Sequence, residues 1–100
     1  MARFILTFNK QVIKEFPFME DSITIGRNQE NTIVIDNLAV SGYHARIDKA
    51  GSDFILTDLQ STNGTFVNGR KLHPLTGLVL HDGDLVQLGT LQIKVRIRRQ

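Results

Sequence analysis

From Leu91 onward the chain alternates: Leu91, Ile93, Val95 and Ile97 are apolar, and Gln92, Lys94, Arg96 and Arg98 are polar. On a helix Leu91 and Ile93 would face opposite sides; on a strand the pattern gives one dry and one wet face, so a half-buried β-strand is predicted here. The same test predicts strands over Arg3 to Asn9 and Gln11 to Phe18, both rich in Phe, Ile and Val. Shorter ones follow over Ser22 to Gly26, Ile33 to Ile35, Ala45 to Lys49 and Asp53 to Asp58, each bounded by turn formers. Phe66 to Val67, Leu78 to Leu80 and Asp84 to Leu88 complete the set. Pro17 has no N–H to give a ladder, which places the second strand at a sheet edge or at a bulge near its end. The first and last strands are expected to pair and bring the termini together.

The turns carry their own chemistry. Asn68-Gly69 between Phe66-Val67 and Arg70-Lys71 suits a two-residue hairpin with positive φ at both positions. Asn63-Gly64 and Asp82-Gly83 are further positive-φ signals, and Ala50-Gly51-Ser52 links two strands. No window has helical periodicity, and many short strands at close spacing predict an antiparallel sandwich or barrel.

Composition narrows the picture. A chain of 100 residues with 41% hydrophobic content fits one domain, large enough to bury roughly 65% of its unfolded surface. There is no cysteine, hence no disulfide and no thiolate metal site. No apolar run approaches the ~18 residues of a membrane span, and the first ten residues lack the pattern of a signal peptide; a cytoplasmic protein without a membrane partner is expected. A formal charge of +2 does not by itself argue for nucleic acid. The basic run Lys94, Arg96, Arg98 and Arg99 reads as a solvated strand face protecting a sheet edge, and it lacks the interleaved aromatics of single-strand binders. His73 and His81 lie in turn-like segments without metal-ligand spacing, so surface positions are expected and no metal or cofactor. Ser41 and His44 are three apart, but no nucleophile elbow, Walker loop or dinucleotide fingerprint occurs, so no enzyme is expected.

Three polar loops interrupt the strand pattern: Gly26 to Thr32, Asp36 to Tyr43, and Leu59 to Thr65. Together they hold a guanidinium, hydroxyls, side-chain amides and glycine-freed backbone N–H groups. That donor set suits a tetrahedral oxyanion, the arginine offering a planar fork to two oxygens and hydroxyls and amides taking the rest.

Gly26-Arg27, Ser41-Gly42-Tyr43-His44-Ala45, the run Asp58 to Gly69 (DLQSTNGTFVNG), Asp82-Gly83-Asp84 and Leu88-Gly89, in this order, resemble the forkhead-associated (FHA) domain. The resemblance covers nearly the whole chain, implying a single FHA domain over residues 1–100. Isolated modules are uncommon in that family, so an N-terminal module of a longer protein is the other expectation. It implies an all-β sandwich of two twisted, mainly antiparallel sheets, with loops at one end binding phosphothreonine peptides. By resemblance Arg27 grips the phosphate, the Ser41 hydroxyl reaches it, Thr62 contacts the phosphothreonine, and Asn63 hydrogen-bonds the ligand backbone. His44 braces the loops from below, and Gly26, Gly64, Asn68 and Gly69 shape the backbone. Gly42 departs from the family, many members of which carry arginine or asparagine there; a backbone N–H at Gly42 is the substitute contact. The implied partner is a phosphothreonine-bearing protein, a Ser/Thr kinase or its substrate. A phosphate-independent scaffold or self-association domain of the same fold is the alternative, and an electrostatic nucleic-acid binder resting on the C-terminal basic run is the third reading.

Overall fold

The computed structural model describes residues 2–8 and 10–98, and among these there are eleven strands and no helix. They are β1 (Ala2–Phe8), β2 (Gln11–Pro17), β3 (Ser22–Gly26), β4 (Ile33–Val34), β5 (Ala45–Ala50), β6 (Asp53–Asp58), β7 (Thr65–Val67), β8 (Arg70–Lys71), β9 (Leu78–Val79), β10 (Leu85–Leu88) and β11 (Leu91–Ile97). One sheet has the order β2-β1-β11-β10-β7-β8 and the other β4-β3-β5-β6-β9. All pairs are antiparallel except β3 with β4. The expected two-sheet, mainly antiparallel sandwich is the fold.

Period-two patterning builds the core. Along β11 buried and exposed residues alternate from Leu91 to Ile97, and Ala2, Phe4 and Leu6 of β1 do the same. The opposing sheet contributes Ile23, Ile25, Ala45, Ile47, Phe54 and Leu56, all buried. Shifting any of these strands by one residue would turn its dry face to solvent, so burial sets the register. Phe18 links the layers edge-to-face, 5.8 Å from the Phe4 ring and 5.0 Å from the Phe54 ring.

Strand β1 pairs with β11 from Ala2↔Ile97 to Thr7↔Gln92, the pairing expected from their shared alternation. Pro17 lies on β2, an edge strand, where a missing N–H costs no ladder bond. The bulge of that strand sits further back, the register stepping from Leu6↔Lys14 to Thr7↔Val12. Asn68 (φ 50°) and Gly69 (φ 83°) form the expected two-residue turn, with Val67 opposite Arg70.

One expectation is corrected. The basic run does not guard an edge, because β11 lies between β1 and β10 in the middle of its sheet. Lys94 and Arg96 are exposed on its outer face, opposite Ile5 and Arg3 of β1. Edge-guarding was inferred from charge alone, whereas strand order is set by backbone pairing with strands that can lie far away in the sequence, as β1 does. Arg99 lies outside the described residues.

The registers also gather the loops. Ile25 lies opposite Ala45, and Ala45 opposite Asp58, so β3 ends, β5 begins and β6 ends at one edge of the sandwich. Residues 27–32, 35–44 and 59–64 emerge from it.

Truncating Phe4, which is fully buried, to alanine should cost about 3–5 kcal/mol in urea unfolding, while Arg3→Ala, which breaks an exposed 3.2 Å pair with Glu15, should cost less than about 1 kcal/mol.

Candidate phosphate-binding loops

The loop ends are joined through backbone groups. The Arg27 N–H donates to the Ser41 carbonyl (3.0 Å), and the Asn28 N–H donates to the Gly42 carbonyl (3.1 Å). This close approach explains Gly26: a Cβ there would lie 2.2 Å from the Gly42 oxygen and 2.8 Å from Asn31 Nδ2. The third loop joins at Ser41, whose Oγ accepts the Thr62 N–H at 3.0 Å. Asn63 Nδ2 donates to the Ala39 carbonyl at 2.9 Å. Arg27, Ser41, Gly42, Thr62 and Asn63 thus belong to one connected cluster of loops.

Beneath it lies His44, fully buried. Its Nδ1 accepts the Ser41 N–H at 3.0 Å, and its Nε2 is 2.9 Å from the Gly64 carbonyl oxygen. A carbonyl only accepts, so Nε2 carries the proton, and the neutral imidazole satisfies both neighbours. Protonation would place a second N–H against that of Ser41. Burial holds the imidazole below its ordinary value of 6.5, while the hydrogen bond to Gly64 and the Asp58 carboxylate pull the other way.

Two bracing residues escaped the sequence reading. Asp58 is buried, and its carboxylate accepts the Ser61 hydroxyl (2.5 Å), the Ser61 N–H (3.3 Å) and the Thr65 hydroxyl (2.7 Å). The i to i+3 spacing of Asp58 and Ser61 was a signal for such a turn. Asn31, 5% exposed, donates through Nδ2 to the Gly42 carbonyl (2.6 Å) and the Asn28 carbonyl (2.9 Å). Nothing local distinguishes it from an ordinary loop asparagine. Further out, the Tyr43 hydroxyl donates to Glu30 at 3.2 Å.

Not every expected support residue joins the cluster. Gly64 does, with φ 87° and its carbonyl on His44. Asn68 bonds instead to Asp84 and Leu85 at the start of β10, so the Asn68-Gly69 hairpin shapes a different part of the sheet.

The exposed layer has a different character. Arg27 is exposed, and among the described residues its guanidinium has no hydrogen-bond or ion-pair partner. Having accepted the Thr62 N–H, Ser41 still has a hydroxyl proton to donate. A guanidinium fork on one loop and a hydroxyl proton on the loop bonded to it are the donors an oxyanion needs. Among the described residues no cluster of His and acidic side chains could hold a metal, and no helix is long and apolar enough to cross a membrane.

Two outcomes follow. Because folding lowers the His44 pKa, the unfolded chain binds more protons below the ordinary value. The contribution of His44 to stability should be full above pH 6.5 and fall as the pH drops from there toward the lower folded value. Urea titrations at pH 7 and pH 5 should show a smaller pH dependence for His44→Gln than for the parent. Gly26→Ala should cost about 1–3 kcal/mol in the same assay, since the nearest atom its Cβ meets is the backbone oxygen of Gly42, which cannot swing aside.

Known proteins share this fold. An FHA domain solved in a structural and functional analysis of phosphothreonine-dependent FHA domain interactions is 31% identical, with a TM-score of 0.86 over the whole of both chains. The transcriptional regulatory protein EmbR of Mycobacterium tuberculosis is 33% identical over 73 residues, 73% of this chain and 18% of EmbR. Its structure in complex with a low affinity phosphopeptide gives a TM-score of 0.85 at 27% identity, covering 99% of this chain and 25% of that one. The glycogen accumulation regulator GarA of Mycolicibacterium smegmatis is 34% identical over 74 residues, 74% of this chain and 45% of GarA. The chain thus spans less than half the length of these curated relatives. The family model described as FHA domain matches residues 23–89, from inside β3 to the end of β10. The chain belongs to the forkhead-associated family.

Proposed function

We propose that this domain docks phosphothreonine-bearing segments of other proteins through the loops that carry Arg27, Ser41, Thr62 and Asn63. The observation that carries the reading is the junction at Ser41: its carbonyl accepts from Arg27, its hydroxyl oxygen from Thr62 (both 3.0 Å), and the guanidinium and hydroxyl proton remain available. A phosphothreonine brings a charge of about −1.5 to −2 and three strong acceptors. Arg27 would take two phosphoryl oxygens, the Ser41 hydroxyl a third, and the carboxamide oxygen of Asn63 remains for a peptide N–H. That EmbR, a relative of the same fold, has been solved in complex with a low affinity phosphopeptide supports this reading.

FHA domains are interaction modules, and no catalytic role is assigned to any residue here. The implied partner is a Ser/Thr protein kinase or its substrate, and the cytoplasm, where such kinases write the mark, is the compartment that follows.

Isothermal titration with a degenerate phosphothreonine peptide library and its dephosphorylated twin tests the reading. Only the phosphorylated pool should bind. Arg27→Ala should weaken it about 100-fold and Ser41→Ala about tenfold, as loss of a bidentate and of a single charge-assisted bond would. An aspartate in place of phosphothreonine, with less charge and a planar head, should bind poorly. Equal affinity for both pools would instead mark a phosphate-independent scaffold.

A further inference from the structure

The phosphate-binding cluster has a gap at position 42, where glycine carries no side chain. The structure shows what stands over that gap. A Cβ built on Gly42 would lie 3.0 Å from both Asn28 Nδ2 and Asn28 Oδ1 and 3.1 Å from Asn28 Cγ. The carboxamide of Asn28 therefore occupies the space that a side chain at position 42 would enter. We propose that Asn28 is a ligand-binding residue, its amide contacting the bound phosphopeptide in place of the polar side chain that Gly42 lacks. The proposal rests on the phosphopeptide reading and adds a residue to it.

Three observations support the assignment. Asn28 follows Arg27 directly, and its backbone N–H is bonded to the Gly42 carbonyl, so its amide lies one residue from Ser41. Its main chain is held from the other side as well, its carbonyl accepting the Asn31 N–H (3.2 Å) and Asn31 Nδ2 (2.9 Å). Yet the side chain is exposed, and among the described residues the carboxamide has no hydrogen-bond partner. The backbone of Asn28 does the structural work, and two amide donors and an acceptor are left over. With the main chain already fixed, contacting a ligand would require ordering only this one short side chain.

The geometry also makes positions 28 and 42 compete for one space, since a side chain at 42 would push the Asn28 amide aside by a few tenths of an ångström. Gly42 has no positive φ to forbid a side chain, so what resists one there is the Asn28 amide itself. A polar group can be placed from either loop, and this chain places it from the first.

A swap tests this, using the tightest-binding single phosphothreonine peptide from the library and its dephosphorylated form. Asn28→Ala should weaken phosphopeptide binding about tenfold, the equivalent of one charge-assisted hydrogen bond. Asn28→Asp, which keeps the shape of asparagine but offers no donor, should weaken it further while leaving the thermal midpoint near that of the parent. The double variant Asn28→Ala with Gly42→Asn should regain at least half of the loss in binding free energy, which a merely structural role for Asn28 would not allow. Affinity within twofold of the parent for Asn28→Ala, with Arg27→Ala still abolishing binding, would overturn the assignment and leave the site reading intact. Loss in Asn28→Ala without recovery in the double variant would also overturn it. Retained phosphopeptide affinity in Arg27→Ala would instead count against the site as a whole.

Discussion

One buried imidazole organises the functional end of this molecule. His44 accepts the Ser41 N–H on one nitrogen and donates to the Gly64 carbonyl with the other, so the second and third loops share a single rigid spacer. The spacer works only in its neutral form, because the two neighbours need opposite roles from it. Burial keeps it neutral, and the residue that could have been a surface base is instead a strut. With His44 holding the backbone beneath Ser41, the serine hydroxyl is free to take the Thr62 N–H and offer its own proton outward.

The rest of the cluster repeats this division of labour. Backbone groups and buried side chains hold the loops: Gly26 permits contact with Gly42, Asn31 clasps two carbonyls, and Asp58 gathers the Ser61 and Thr65 hydroxyls. Exposed side chains, those of Arg27, Asn28 and Thr62, are left without internal duties among the described residues. Loops fixed in this way need not be ordered when a ligand arrives, so more of each contact becomes net affinity. Asn31 Oδ1 is the one buried side-chain polar atom without a partner among the described residues.

The sheets serve this end by aligning strand ends. The pairings Ile25↔Ala45 and Ala45↔Asp58 bring three loops to a common edge. The turn of Gly89 and Thr90 in the other sheet abuts the second loop, Asn37 bonding the Thr90 hydroxyl at 3.1 Å. The family match, over residues 23–89, leaves out β1, β2 and β11. Of these, β1 and β11 build most of one sheet's dry face, against which the loop-bearing sheet packs, while β2 is an almost wholly exposed edge.

What the amino-acid order determined by itself was local. Alternation in 91–97 decided strand over helix, Asn68-Gly69 decided a two-residue hairpin, and the spaced Gly-Arg, Ser-x-x-His and Asn-Gly groups pointed to an oxyanion-binding FHA domain, because each depends on near neighbours in the chain. Strand order was not local. The charged face of β11 suggested an edge, yet the strand is central because both of its backbone edges are paired, one with β1 and the other with β10. The roles of Asn31, Asp58 and Asn28 were likewise decided in three dimensions. A loop asparagine or aspartate looks the same in sequence whether it faces water, a carbonyl or an empty position on another loop. Only the packing of loops 11 to 21 residues apart establishes which of these it meets.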